Sequence, residues 1–135
     1  MAGPFFLYSG EMTNNLPKPV SRENAEHYAW GDGCDGYFLL KYPEAQVIEE
    51  RMPPGTSEQA HWHERARQLF YVLEGELTMH FENGDVRLSR GASLEIEPGT
   101  IHQARNESST DVRFLVVSVP PKPWRPEAGT DLNIG

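Results

Sequence analysis

Three histidines and a glutamine stand where their types and spacing could do chemistry. Neutral imidazole is the commonest protein ligand for first-row transition metals, and His61-Trp62-His63 carries two of them on alternate residues. On a strand, alternate residues share a face, so both rings can reach one ion. Gln68 heads the apolar run Gln68-Leu-Phe-Tyr-Val-Leu73. A polar residue on an inward face needs a partner, and either coordination through its amide oxygen or a hydrogen bond to His61 or His63 would supply one. His102 follows the turn Pro98-Gly99. Three neutral imidazoles and a neutral amide would leave the double charge of a bound ion uncompensated, which favours anionic ligands. Such an ion polarises a carbonyl or acidifies a bound water or enol, as enediolate isomerisation, decarboxylation or oxygenation of a chelating substrate requires.

The spacing runs Gly55, five residues, His61, one, His63, four, Gln68, six, Gly75. This resembles the first motif of the cupin superfamily, with Gln68 where that family usually has Glu. The stretch from Gly91 through Pro98-Gly99-Thr100-Ile101-His102 to Asn106 is similar to the second motif. It departs in one place, since Glu97 stands where the family pattern more often has its proline. The resemblance covers residues 36–119 and implies an all-β, double-stranded β-helix barrel of jelly-roll type. It also implies that His61, His63, Gln68 and His102 occupy the four metal-ligand positions for one divalent transition ion (Fe, Mn, Ni, Co, Zn or Cu), and that the chain forms a homodimer. It implies no single activity. Gln68 cannot serve as the carboxylate base that Glu supplies at this position in related dioxygenases, so no catalytic residue is assigned beyond the ligands. The expected function is a metal-dependent enzyme acting on a small chelating organic substrate, dioxygenase-like first and isomerase or epimerase next. The alternative is a non-catalytic, metal-containing small-molecule binding or sensor module. A storage-type protein does not fit a single barrel this short, and no segment reads as the DNA-binding helices of a repressor.

The elements that must position these residues read as short strands. Apolar or alternating runs cover Tyr37–Tyr42, Gln46–Met52, His61–His63, Gln68–Leu73, Leu77–Glu82, Val86–Ser89, Ser93–Ile96, His102–Asn106 and Val112–Val119. Gly, Pro, Asn and Asp punctuate them. Asn83-Gly84 is the strongest hairpin signal, because both residues tolerate positive φ. Ser21–Ala29 predicts a short helix or turn, with Ser21 as N-cap and Gly31 ending it. Three regions follow: an N-terminal arm with that helix or turn (1–35), a barrel (36–119) and a Pro-rich tail (120–135). Pro120 cannot continue a central strand.

At 135 residues the chain is one domain in size. Twelve Lys and Arg against twenty Asp and Glu give a net charge of −8, and the basic residues are scattered, which excludes the clustered cationic footprint of nucleic-acid binding. No apolar stretch is long enough to span a bilayer, and Phe5-Phe6-Leu7-Tyr8 is too short for a signal peptide. One cysteine, Cys34, excludes an internal disulfide framework and predicts a reducing compartment, the cytoplasm. Met12 offers an alternative start, making residues 1–11 an extension. His27 and His80 read as ordinary solvated histidines, and Glu74, Glu76, Glu95 and Glu97 as exposed. Tyr37, Trp62, Phe70 and Tyr71 either pack the core or line a pocket.

Overall fold

Period-two alternation and sharp turns decide the architecture. The computed structural model describes residues 15–121. Within them lie β1 (Glu26–Trp30), β2 (Cys34–Lys41), β3 (Gln46–Met52), β4 (Arg67–Glu74), β5 (Leu77–Phe81), β6 (Gly84–Leu88), β7 (Ser93–Ile96), β8 (Gln103–Arg105) and β9 (Val112–Val119). A six-stranded sheet runs β1-β2-β3-β9-β4-β7 and a three-stranded sheet runs β6-β5-β8, with antiparallel pairing throughout. The central strands β4 and β9 each bury one face. On β9, Val112, Phe114, Val116 and Ser118 are buried, and on β4 Gln68, Phe70 and Val72 are. The core between the layers joins Met52, Phe70, Val72, Val112, Phe114 and Val116 of the larger sheet to Leu77, Met79, Leu88 and Ala104 of the smaller. This is the all-β, double-stranded β-helix fold of jelly-roll type that the resemblance implies.

Three local expectations shift. The stretch from Ser21 makes one turn and then becomes β1. Ser21 Oγ accepts from the Glu23 amide at 3.2 Å, and the Ser21 carbonyl accepts from the Ala25 amide at 2.8 Å. The cap chemistry is thus present, but pairing with β2 takes over at Glu26, and Gly31 (φ +55°) turns the β1–β2 hairpin rather than closing a helix. Second, Phe81 pairs with Gly84, so the β5–β6 loop residues are Glu82 and Asn83, one position earlier than expected. Third, His61–His63 is no continuous strand: its stretch meets β8 through isolated bridges, Ser57 to Arg105 and His61 to His102. The register slips by one residue between them, because the Glu58 carboxylate accepts the Ala104 amide at 2.9 Å in place of a backbone carbonyl. The expectations for residues 1–11 and for the tail beyond 121 lie outside the described residues. None of the described residues belongs to a helix long and apolar enough to cross a membrane.

One buried polar pair escaped the sequence reading. Alternation along β3 turns Gln46, Ile48, Glu50 and Met52 inward, and all four are buried. Tyr28 on β1 donates its hydroxyl to Glu50 Oε2 at 2.9 Å, crossing over Gly36 of β2, which pairs with both residues. A Cβ at Gly36 would overlap the Tyr28 ring. Burial, then the Glu50 charge, pushes the Tyr28 phenol far above its ordinary value.

Two outcomes test this packing. Gly75 holds φ +82°, and its missing Cβ would strike the Asp111 carbonyl oxygen, so Gly75→Ala should cost more than about 1 kcal/mol in urea unfolding. Because the folded Tyr28 keeps its proton while the unfolded phenol ionises near 10.0, the stability it contributes is complete below that pH and is lost as pH rises above it. Tyr28→Phe should cost about 1–3 kcal/mol near pH 7 and flatten the decline of urea midpoints expected above about pH 10.

Candidate metal centre

The site is assembled by one backbone pairing. His61 N donates to the His102 carbonyl at 3.0 Å and His102 N to the His61 carbonyl at 2.9 Å. Residues that exchange both bonds sit directly opposite each other, with side chains on the same face, so the two imidazoles lie together. Their ring centroids are 4.6 Å apart, and the His63 ring lies 4.7 Å from that of His61 and 5.9 Å from that of His102. One ligand atom from each of the three falls within 4.8 Å of the others, and no carboxylate or thiolate belongs to the group among the described residues. His63 and His102 are buried and His61 is half-buried.

The tautomers follow from the neighbours. His61 Nδ1 lies 2.7 Å from the Gln59 carbonyl and His102 Nδ1 lies 2.8 Å from the Thr100 carbonyl. A carbonyl only accepts, so each Nδ1 carries the proton and each Nε2 presents a lone pair. Holding the far nitrogen of an imidazole in this way is the usual means of orienting a metal ligand. The turn that delivers His102 is tied to the segment that delivers His63, since the Gly99 amide donates to the His63 carbonyl at 2.8 Å.

Gln68 faces inward on β4 and is 2 % exposed. Its Nε2 donates to Ser118 Oγ at 3.0 Å, while its Oε1 is buried without a hydrogen-bond partner. An orphaned amide oxygen in an interior costs about 1–3 kcal/mol, and metal coordination is one way to recover it. Two residues along the same face, the Phe70 ring meets His102 edge-on at 6.2 Å and Phe114 at 5.8 Å. The donor set therefore fits a divalent transition ion: oriented imidazoles plus an unmet amide oxygen.

The remaining candidates fall away from this cluster. His27 is exposed and bonds Asp35 at 2.7 Å; that bond, with Arg51 beside it, holds the Asp35 carboxyl below its usual value. His80 is half-buried and meets Asp85 across the β5–β6 pair at 2.6 Å. Glu74, Glu76, Glu95 and Glu97 are exposed. Phe70 is core, Tyr71 is exposed, and Tyr37 and Trp62 are half-buried, with Tyr37 against His27. The sequence reading missed Ser118 and Gln46, both buried. Alternation along Val112–Val119 would have turned Ser118 inward, and Gln46 heads its apolar strand as Gln68 does.

Known proteins share this fold. The chain is 33% identical over 69 residues to an oxalate-binding protein of Thermotoga maritima, covering 51% of this chain and 57% of that protein. It is 31% identical over 107 residues to the quercetin 2,3-dioxygenase of Bacillus subtilis, covering 79% of this chain and 29% of the dioxygenase. The chain thus spans little more than half of the first of these relatives and under a third of the second. Among solved structures, the polyketide cyclase RemF from Streptomyces resistomycificus superimposes with TM-score 0.69 at 21% identity, over 80% of this chain and 82% of that one. A predicted oxalate decarboxylase from Thermotoga maritima does so with TM-score 0.68 at 26% identity, over 77% and 100%. The family model for the cupin domain matches residues 48–118, the stretch that carries all three histidines and Gln68, and the chain belongs to the cupin family.

Proposed function

We propose that this chain is a metal-dependent enzyme acting on a small chelating organic substrate, with dioxygenase-type chemistry first and isomerase or epimerase chemistry next. The observation that carries the reading is the convergence of His61, His63 and His102 within 4.8 Å. His61 and His102 would hold the ion through Nε2, His63 through a ring nitrogen, and Gln68 through Oε1. The ion, one of Fe, Mn, Ni, Co, Zn or Cu, would polarise a substrate carbonyl or acidify a coordinated enol. The chain's own residues set the rest. A donor set without a carboxylate leaves positive charge for an anionic substrate to neutralise, Ser118 fixes the Gln68 amide, and Phe70 packs its ring against His102. The likeness to a quercetin 2,3-dioxygenase supports oxygenase chemistry. The likeness to an oxalate-binding protein favours a second reading, a binding module without turnover.

Elemental analysis of the purified chain should find about one transition ion per chain, reduced at least about tenfold in His102→Ala. Gln68→Glu should bind the ion more tightly and lose that gain as pH falls through the carboxylate range near 4–5; an unchanged affinity places Gln68 outside the coordination shell. Loaded anaerobically with Fe(II), the protein should consume oxygen with flavonols, enols or phenols. Ligand binding with no turnover of any such substrate supports the second reading, and absence of a bound ion at micromolar metal overturns both.

A homodimer and a cytoplasmic location belong to the same proposal. Leu69, Tyr71 and Val119 are exposed on the outer face of β4 and β9, an apolar strip that a second copy would cover, and Cys34 is buried and free. Sedimentation at micromolar concentration should give a dimer; a monomer removes this part.

A further inference from the structure

The head of β3 repeats the head of β4. Gln46 pairs with Ser118, and Ser118 pairs with Gln68, so the three form one row across β3, β9 and β4. Direct cross-strand partners share a face. That face is the interior, since Gln46, Ser118 and Gln68 are 7%, 1% and 2% exposed while the adjacent Arg67, Leu69 and Val119 are exposed. Strands lie about 4.8 Å apart, so the row spans about 10 Å. It holds two buried amide oxygens without hydrogen-bond partners, Gln68 Oε1 and Gln46 Oε1.

A metal ion would satisfy the oxygen of Gln68. Gln46 stands one strand further off, beyond Ser118, whose hydroxyl already takes the Gln68 amide nitrogen. The row contains no carboxylate to balance a second cation, and the ammonium of Lys41, the partner of Gln46 on β2, is turned to Glu26 at the surface, which leaves a neutral donor as the match: a hydroxyl or an N–H. We propose that Gln46 is a specificity-determining residue whose Oε1 accepts a hydrogen bond from a hydroxyl group of the bound ligand, the ligand's acidic or enolic end lying on the ion. This rests on the metal reading above. It narrows the substrate class to hydroxylated acids, enols and phenols long enough to reach along the row. Oxalate, which is short and carries no hydroxyl donor as a dianion, would leave the Gln46 oxygen unmet, and a buried polar group left unpaired is what makes such a site discriminate.

A matched pair of probes isolates this contact. Kojic acid and allomaltol chelate metals through the same hydroxyketone and differ in one distal hydroxyl. Calorimetric titration of the Co(II)-loaded chain should give kojic acid an advantage of about fivefold, the worth of one hydrogen bond. Gln46→Leu should bring the ratio near one while Co(II) affinity and visible spectrum stay those of the unmodified protein. Gln46→Met, which keeps the length of the side chain and removes the amide, gives the same answer if the Leu variant fails to fold. A ratio near one in the unmodified protein, or an advantage that survives both substitutions, overturns the proposal. Failure of the metal reading shows separately, as no Co(II) bound by the unmodified chain. The two probes are then compared on the metal-free protein, where a preference lost in Gln46→Leu upholds the Gln46 contact and equal binding rejects it.

Discussion

Everything at the site depends on two backbone hydrogen bonds, those exchanged by His61 and His102. Side chains cannot bring two distant segments into ligand geometry on their own, because each ring has free torsions and each segment its own entropy. Backbone pairing removes that freedom before any ligand arrives. The pairing is itself the end of a longer seam. Gly55 and Asn106 donate to each other's neighbourhood, Gly55 N to the Asn106 carbonyl and Asn106 N to the Thr56 carbonyl, and Glu58 N donates to the Ala104 carbonyl. Asn106 anchors the seam from its other side, with Nδ2 donating to the carbonyls of Met52 and Thr110, both at 2.8 Å. The second motif's asparagine is therefore a structural knot, and its histidine is the group that the knot positions.

The charge pattern is the second constraint. The chain is acidic, at −8, yet the three clustered histidines and the Gln68 row include no carboxylate. Its inward carboxylate, Glu50, receives the Tyr28 hydroxyl. Among the other described carboxylates, Asp35 and Glu49 are paired with arginine, as Asp35–Arg51 and Glu49–Arg113, and Glu58 accepts the Ala104 amide. Fixed negative charge is thus kept out of the donor set and pins strands through ion pairs instead.

Much of this was legible in the sequence because its signals are local. Gln46–Met52, Ser93–Ile96 and Val112–Val119 have the bounds that alternation predicts, and His-x-His with Gly55 and Gly75 announces the seam. What stayed hidden is set by tertiary pairing. Glu26–Trp30 has the composition of a capped turn and becomes a strand only because β2 offers it an edge. His61–His63 reads as a strand, but a carboxylate from Glu58 enters the ladder and breaks it into bridges. Glu49 and Glu50 are both buried, and only the tertiary pairing gives each its partner, Arg113 for Glu49 and Tyr28 for Glu50. Ser118 and Gln46 are ordinary residue types whose meaning comes from standing in one row.

The glycine at position 36 shows how one missing side chain can organise an edge. The space that a Cβ would fill is occupied by a ring belonging to another strand, and that ring carries the proton donor for a carboxylate two strands away. Substitutions at positions 28 and 36 are thereby coupled: a larger residue 36 requires a smaller residue 28, and a smaller residue 28 withdraws one donor from residue 50.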